Sequence, residues 1–153
     1  MALSVQLDTR MAEILTRQFG PLDYEESAVV EFPSGLPGFE SHRRFVLIER
    51  PALAPLVFLQ SLSGELCFPS APVKAIDPNY ELAMTPEDAH LLGCQEFSAL
   101  VCLAIVTAPE DGPLTANLLA PVVIDSRTRR GVQAVRMDSR YSHRHAVGET
   151  PCS

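Results

Sequence analysis

Short apolar stretches divided by prolines and glycines set the hydrophobic pattern of this chain. Most are rich in β-branched side chains or alternate with polar ones, as strands do. The strand candidates cover residues 14–19, 22–24, 28–32, 45–49, 56–61, 66–68, 73–76, 80–84, 99–107, 118–125 and 131–136. With the shortest and weakest of these set aside, eight or nine short strands with little helix predict a mostly β fold. We expect one antiparallel sheet, closed as a small barrel or folded as a sandwich, with one or two short helices.

Two of these candidates leave alternatives open. Residues 99–107 (ALVCLAIVT) lack alternation and predict a central strand covered on both faces, with a short buried helix as the alternative. In residues 118–125, Pro121 predicts either two strand pieces or an edge strand, because proline cannot donate to a ladder. Gly20 and Pro21 predict the turn of a hairpin between the first two candidates.

The end signals of one helix are complete. Thr85 is a suitable N-cap, Pro86 occupies the first helical position, acidic residues follow, and Gly93 stands where the helix should end. Such a short helix is unstable alone, so its leucines must pack against the rest of the protein. Residues 50–55 (RPALAP) predict a bend or one helical turn.

Composition places the chain among single-domain globular proteins. It has 153 residues, of which 46% are hydrophobic and 20% charged, and its thirteen prolines argue against long helices. No apolar run approaches the roughly 18 residues that would span a bilayer. The first ten residues lack the features of an export signal, so a soluble cytoplasmic protein is expected. We predict a flexible N-terminal extension at residues 1–13, a folded domain at 14–147 and a C-terminal tail at 148–153.

Charge is distributed unevenly along the chain. Residues 1–120 carry a formal charge of −10, and residues 121–153 carry +3. The basic part holds Arg127, Arg129, Arg130, Arg136, Arg140 and Arg144. These arginines suggest an RNA-binding barrel as one alternative, but no aromatic residues interleave with them as a single-strand platform requires. The acidic majority instead suits a basic protein partner and argues against direct nucleic-acid binding.

Motifs for catalysis and metal binding are not found in the sequence. The cysteines are Cys67, Cys94, Cys102 and Cys152, without a Cys-x-x-Cys pair, and free thiols are expected. His143 and His145 have a spacing that two exposed histidines also give, so we predict no metal site. Neither a nucleotide-binding loop nor a nucleophile motif occurs, so we predict no catalytic residues and no cofactor. A flavin- or small-molecule-binding β-barrel remains the other alternative, because small barrels often hold one ligand.

Three motifs in order resemble those of the flagellar assembly factor FliW family. The first is residues 32–40 (FPSGLPGFE), and the second is residues 103–107 (LAIVT), which Pro109 and Glu110 follow. The third is residues 114–124 (LTANLLAPVVI), continuing through Thr128–Gly131. Tyr141, Ser142, Arg144 and His145 are similar to the family's ending, so the resemblance covers residues 14–147.

The resemblance implies a compact, mostly antiparallel β-barrel domain without catalytic activity. Members of the family bind flagellin in the cytoplasm and bind CsrA, a translational repressor of flagellin synthesis. Flagellin occupies the protein until it is exported. The protein then binds CsrA and relieves repression allosterically, at a CsrA surface distinct from its RNA-binding one.

The sequence departs from the family pattern at residues 67–75. Family members tend to have a longer apolar strand there, whereas this chain has Pro69 and Pro72. The resemblance therefore does not extend to the strand at this position or to any contact that the family makes through it. The first 13 residues match no part of the family pattern.

Candidate partner-binding residues come from the motifs and from the C-terminal segment. They are Glu40, Asn117, Arg129, Arg130, Tyr141, Arg144 and His145. Each has a structural alternative: a solvated acid at Glu40, a turn cap at Asn117, solvated arginines, and packing of the terminal segment. Residues expected to shape the fold are Phe32, Pro33, Gly35, Pro37, Gly38, Phe39, Pro121 and Gly131. Phe32 and Phe39 are expected to plug the barrel.

Overall fold

Strands form most of the regular structure in residues 11–96, 99–137 and 140–147, the part of the chain that the computed structural model describes. The strands are β1 Met11–Thr16, β2 Gly20–Glu25, β3 Val30–Glu31, β4 Arg44–Glu49, β5 Val57–Ser61, β6 Cys67–Pro72, β7 Leu100–Thr107, β8 Thr115–Ala116, β9 Val122–Asp125, β10 Arg130–Gln133 and β11 His145–Ala146. The helices are α1 Val73–Ile76 and α2 Pro86–Leu92, with single 3-10 turns at Glu26–Ala28 and Pro51–Leu53.

Seven of the strands close into a barrel, in the order β7-β6-β5-β4-β3-β10-β9, because β9 also pairs with β7. The pairs are antiparallel except for β3 and β10, which run parallel and meet at Glu31 and Arg130. The short strands β8 and β11 extend the sheet from β7, whereas β1 and β2 form a separate hairpin. The predicted small, mostly antiparallel barrel with two short helices is confirmed.

Apolar side chains lie on both faces of the barrel wall. The interior cluster is Val30, Phe32, Leu36, Phe45, Val57, Leu59, Leu103, Val122 and Ile124. Outside, α2 packs its fully buried Leu92 against Val123 and Val132, and the C-terminal segment covers a second outer cluster around Tyr80 and Leu118. Both apolar faces of β9 are therefore buried, which is why its sequence lacks alternation.

The helix predicted from end signals is α2. Thr85 Oγ1 accepts a hydrogen bond from Asp88 N at 3.0 Å, and the Asp88 carboxylate accepts one from Thr85 N at 3.3 Å. Gly93 ends the helix in the left-handed conformation, with φ at 67°. The strand alternative for residues 99–107 is confirmed as β7, and residues 50–55 contain the predicted helical turn.

Two predicted strands are wrong. Residues 73–76 form helix α1, whose turn closes when Asp77 N donates to Val73 O at 2.8 Å. Residues 80–84 form no strand, although they alternate. Tyr80 and Leu82 are turned towards the outer apolar clusters, while Glu81 is exposed. Alternating burial in this segment reflects an extended chain lying on the barrel without ladder hydrogen bonds.

The first hairpin turns three residues earlier than predicted. Gly20 and Pro21 pair with Thr16 and Leu15 inside the hairpin, instead of forming its turn. The turn instead comprises residues 17–19. The Thr16 hydroxyl closes it, because Oγ1 accepts a hydrogen bond from Phe19 N and donates one to Gly20 O, both at 2.8 Å. A side-chain hydrogen bond has therefore outweighed the Gly-Pro signal.

Prolines at residues 69 and 72 do not interrupt strand β6. The strand pairs with β5 through Cys67–Ser70 and with β7 only from Ser70 onwards. Pro69 and Pro72 thus each lie where β6 has only one neighbouring strand. A proline is tolerated there when its nitrogen, which carries no hydrogen, faces the side without a neighbour. Likewise, β9 begins after Pro121, so this proline lies at the entrance of a central strand rather than in an edge strand.

Several predictions fall outside the described residues. These include the fold of residues 1–10, the tail at 148–153, and Cys152. The division of the chain at residues 13 and 147 stays a prediction, although β1 begins at Met11. No helix among the described residues is long and apolar enough to cross a membrane.

Candidate functional site

The loop at residues 33–40 is built by close backbone packing. Gly35 has φ at +69°, and a Cβ added to it would lie 2.6 Å from Glu40 Cα, so the loop folds back on itself only with glycine here. Leu36 and Phe39 form an isolated bridge, and Phe39 N donates to Leu36 O at 2.7 Å. Phe32, before the loop, is fully buried in the barrel.

Phe39 does not share the interior position of Phe32. Phe39 is 40% exposed, and its ring packs edge-on against Phe68, with the ring centroids 5.3 Å apart. The expectation that both phenylalanines plug the barrel is therefore wrong for Phe39, because the loop reverses direction between the two rings. Of the remaining loop residues, Pro33 is half-buried, while Pro37 and Gly38 are exposed.

Glu40 is an exposed acid held in place by its own loop. Its Oε2 accepts a hydrogen bond from Gly38 N at 3.0 Å. This bond, together with one from the Glu40 backbone, lowers the pKa of the Glu40 carboxyl below its ordinary value. The side chain is thus a fixed negative charge at the surface, and its contact with a partner stays a prediction.

Asn117 caps a turn, which is the structural role that the sequence suggested for it as the alternative to partner binding. Its Oδ1 accepts from Leu119 N at 3.1 Å and from Ala120 N at 3.0 Å. These bonds satisfy backbone donors in the bend that leads into Pro121 and β9. The side chain is half-buried and committed to the fold.

The C-terminal segment is fastened to the barrel around Tyr141. Its ring lies against Tyr80, with centroids 4.3 Å apart, and the guanidinium of the buried Arg136 stands 4.9 Å from its centroid. The Tyr141 hydroxyl accepts a hydrogen bond from Glu81 N at 3.0 Å, and Arg136 Nη1 donates to Glu81 O at 2.6 Å. Arg140 forms an ion pair with the Glu81 carboxylate.

This fastening brings four of the predicted residues together. Leu118 N donates to Ser142 O at 3.0 Å, and His145 of β11 pairs with Ala116 of β8. The pairing of β8 with β11 therefore places Asn117, which follows β8, beside the segment that contains Tyr141, Arg144 and His145. Arg144 is exposed and His145 is half-buried, so these two present side-chain surface for a partner.

Arg129 and Arg130 lie elsewhere, on the turn between β9 and β10. Arg129 has φ at 59°, and its Nη2 lies 2.5 Å from Ala28 O. Arg130 is exposed, with Nη1 3.5 Å from Leu91 O at the end of α2. Thus Arg129 ties two segments of the fold, while Arg130 is the more available of the pair.

Sequence reasoning missed an open apolar groove of about 530 Å³ beside β7. It forms because β6 ends at Pro72 and the chain turns into α1, so the first residues of β7 have lost the neighbour that pairs further along. Its lining comprises Pro72, Val73, Lys74, Tyr80, Leu82, Leu100, Val101 and Cys102. The sequence carried no signal for it: residues 99–107 are the most apolar stretch, and only the structure shows that Val101 within it is 38% exposed.

The cysteines in the described residues are free thiols, as predicted. Burial raises the pKa of Cys67 and that of Cys102 to about 11, so both are protonated at neutral pH and weakly nucleophilic. In the same residues, no three His, Cys, Asp or Glu side chains are grouped so that they could hold a metal ion.

Replacing Tyr141 by phenylalanine tests the fastening of the C-terminal segment. The hydroxyl would be lost, and Glu81 N would lose its acceptor while the ring contacts remain. We expect the free energy of unfolding to fall by about 1 kcal/mol, the usual contribution of one such bond. Urea unfolding measures the loss, and amide exchange at Glu81 should accelerate. An unchanged exchange rate at that amide would show that the bond does not protect it.

Proteins similar to this chain share its length as well as its pattern. The flagellar assembly factor FliW of Syntrophomonas wolfei is 34% identical over 137 residues, which cover 88% of each chain. The same factor from Geotalea uraniireducens is 36% identical over 140 residues, covering 90% of this chain and 85% of that protein. Its Bacillus subtilis counterpart is 31% identical over 141 residues, covering 91% and 99% respectively.

The fold gives the same result. A crystal structure of the flagellar assembly factor FliW superposes with a TM-score of 0.84 at 27% identity, covering 92% of this chain and 99% of that one. The sequence profile described as FliW protein matches residues 13–147. Because sequence, length and fold agree, the chain belongs to the FliW family of flagellar assembly factors.

Proposed function

We propose that this protein is a cytoplasmic partner switch between flagellin and a CsrA-type translational regulator. Abundant flagellin occupies it. Export of flagellin frees it to bind the regulator at a surface distinct from the RNA-binding one, which relieves repression of flagellin synthesis. Its membership in a family of assembly factors carries the proposal.

The barrel itself supports a role at the surface. Its interior is filled by nine buried apolar residues, including the large rings of Phe32 and Phe45. A ligand inside would have to displace these side chains, so this interior does not favour a flavin- or small-molecule-binding barrel. Partners are therefore expected on outer surfaces such as the groove beside β7.

The arginine-rich part of the chain also favours protein partners over RNA. Arg129 and Arg136 donate to backbone carbonyls of the fold, and Arg140 pairs with Glu81. Three of the six arginines are thus held by contacts within the fold, which does not favour a continuous stripe of cations for phosphates. A formal charge of −7 for the whole chain instead steers towards a basic protein, as an RNA-binding regulator must be.

Co-purification followed by displacement tests the proposal. The protein is mixed with a tagged CsrA of its host, the complex is isolated, and flagellin is then added in increasing amounts. We expect a stable complex that releases CsrA as flagellin saturates the switch. A globular protein with a charge similar to that of flagellin, added in its place, is the control. If the protein bound neither CsrA nor flagellin, the proposal would be overturned.

A further inference from the structure

In the part of the chain that the structure describes, the outward face of the β1–β2 hairpin is an exposed sheet surface of mixed character. Along the hairpin, Ala12, Ile14, Leu22 and Tyr24 are half-buried and share one face. The alternate residues point outward as three cross-strand pairs: Met11 with Glu25, Glu13 with Asp23, and Leu15 with Pro21. All six outward residues are exposed.

Apolar exposure on this face is high. Leu15 is 74% exposed and Met11 is 60% exposed. Large apolar side chains at alternate positions of a strand usually mark the buried face of a sheet. Here the more buried face is the opposite one, which carries Ile14 and Leu22. An exposed leucine and methionine on a rigid strand are the type of contact that a protein partner covers.

The charges between them point to the chemistry of that partner. Glu13 and Asp23 stand directly opposite each other, and like charges in this arrangement repel. Glu25 adds a third carboxylate to the same face. The ion pairs found in the described residues, Arg44 with Glu26 and Arg140 with Glu81, leave Glu13 and Asp23 without a cation. A lysine or arginine of a partner, placed between the two, would turn this repulsion into two attractions.

The hairpin is held firmly enough to act as a platform. At its tip, Arg17 N donates to Gly64 O at 2.8 Å. The ring of Phe19 packs edge-on against Phe58, with centroids 5.2 Å apart, and the Arg50 guanidinium stands 5.3 Å from the Phe19 centroid. Little ordering of this face is therefore needed when a partner binds.

We propose that the outward face of the hairpin is the docking surface for the basic partner, the CsrA-type regulator. This inference rests on the proposed function and adds to it the surface involved. The regulator supplies a lysine or arginine between Glu13 and Asp23, and apolar groups that cover Leu15 and Met11. Charge complementarity sets the register of the complex and speeds its formation.

A charge-reversal pair tests the docking surface. Glu13→Lys with Asp23→Lys keeps a like-charge pair in the hairpin, so its own stability should change little. Glu110→Lys with Asp111→Lys is the matched control, because these acids are also exposed and the change in net charge is the same. Affinity for CsrA is measured by calorimetry at low and moderate salt, with urea unfolding of each variant.

We expect the hairpin reversal to weaken CsrA binding roughly 30-fold or more, and the control to weaken it only a few-fold through long-range steering. Leu15→Ser should weaken binding roughly tenfold without changing net charge. Equal losses in the two reversals, or none in either, would overturn the docking surface while the partner switch stands. If the unaltered protein fails to bind CsrA, the regulator half of the proposed function fails first.

Discussion

Replacement of Phe32 by alanine is expected to lower the free energy of unfolding by about 3–5 kcal/mol. The ring is fully buried in the barrel and packs edge-on against Phe45, with centroids 5.2 Å apart. It is surrounded by strands of a closed sheet, which cannot collapse into the cavity that the ring leaves behind. Equilibrium urea unfolding, followed by circular dichroism, measures the loss.

A second substitution identifies the neighbour that makes this site tight. A Cβ added to Gly131 would lie 2.6 Å from both Cε2 and Cζ of Phe32. Gly131→Ala alone should therefore cost about 1–3 kcal/mol by overpacking. In the Phe32→Ala background the added methyl occupies free space, and its cost should disappear. Additive losses in the double variant would contradict this account of why the family motif has glycine at this position.

Gly64→Ala should lower the free energy of unfolding by about 2–4 kcal/mol and loosen the first hairpin. Gly64 has φ at +92°, and a Cβ added to it would lie 2.3 Å from the Leu15 carbonyl oxygen. A backbone atom cannot rotate away from this contact as a side chain can. The tip of the hairpin must therefore move off the turn between β5 and β6, breaking the bond from Arg17 N to Gly64 O.

Gly20→Ala is the matched control for this effect. Gly20 also has a positive φ, at +69°, but nothing lies within 4 Å of an added Cβ. It should show the backbone strain alone, about 1 kcal/mol, without early exchange of the hairpin amides. Hydrogen exchange of β1 and β2 separates the two variants. Equal losses in both would show that strain, and not the contact with Leu15, sets the cost at Gly64.

Local signals in the sequence predicted the elements whose determinants lie close together. The helix α2 follows from Thr85, Pro86 and Gly93, because a cap and a left-handed end are settled within a few residues. Asn117 was predicted as a turn cap for the same reason, since the backbone N–H groups that donate to its Oδ1 lie two and three residues ahead. Where one local signal competed with another, as at the first hairpin, the hydrogen bonds of the Thr16 side chain outweighed the Gly-Pro signal and the prediction failed.

Candidate site residues were predictable only in part. Tyr141, Arg144 and His145 lie close together in the sequence, so their proximity needed no structure. Their position beside Asn117 depends on the pairing of β8 with β11, whose two residues each give too little pattern to be found. The groove beside β7 and the exposed Leu15 were missed, because a hydrophobicity pattern shows which residues are apolar and not which of them remain uncovered.

The sequence by itself determined that this protein is a mostly β domain with one well-ended short helix, an acidic surface and the motifs of its family. The tertiary structure decided how the barrel closes, since the pairing of β7 with β9 and the parallel contact of β3 with β10 join residues far apart in the chain. It also decided which face of the hairpin stays open. Strand register and closure depend on packing summed over the whole molecule, whereas caps and turns depend on atoms a few residues apart.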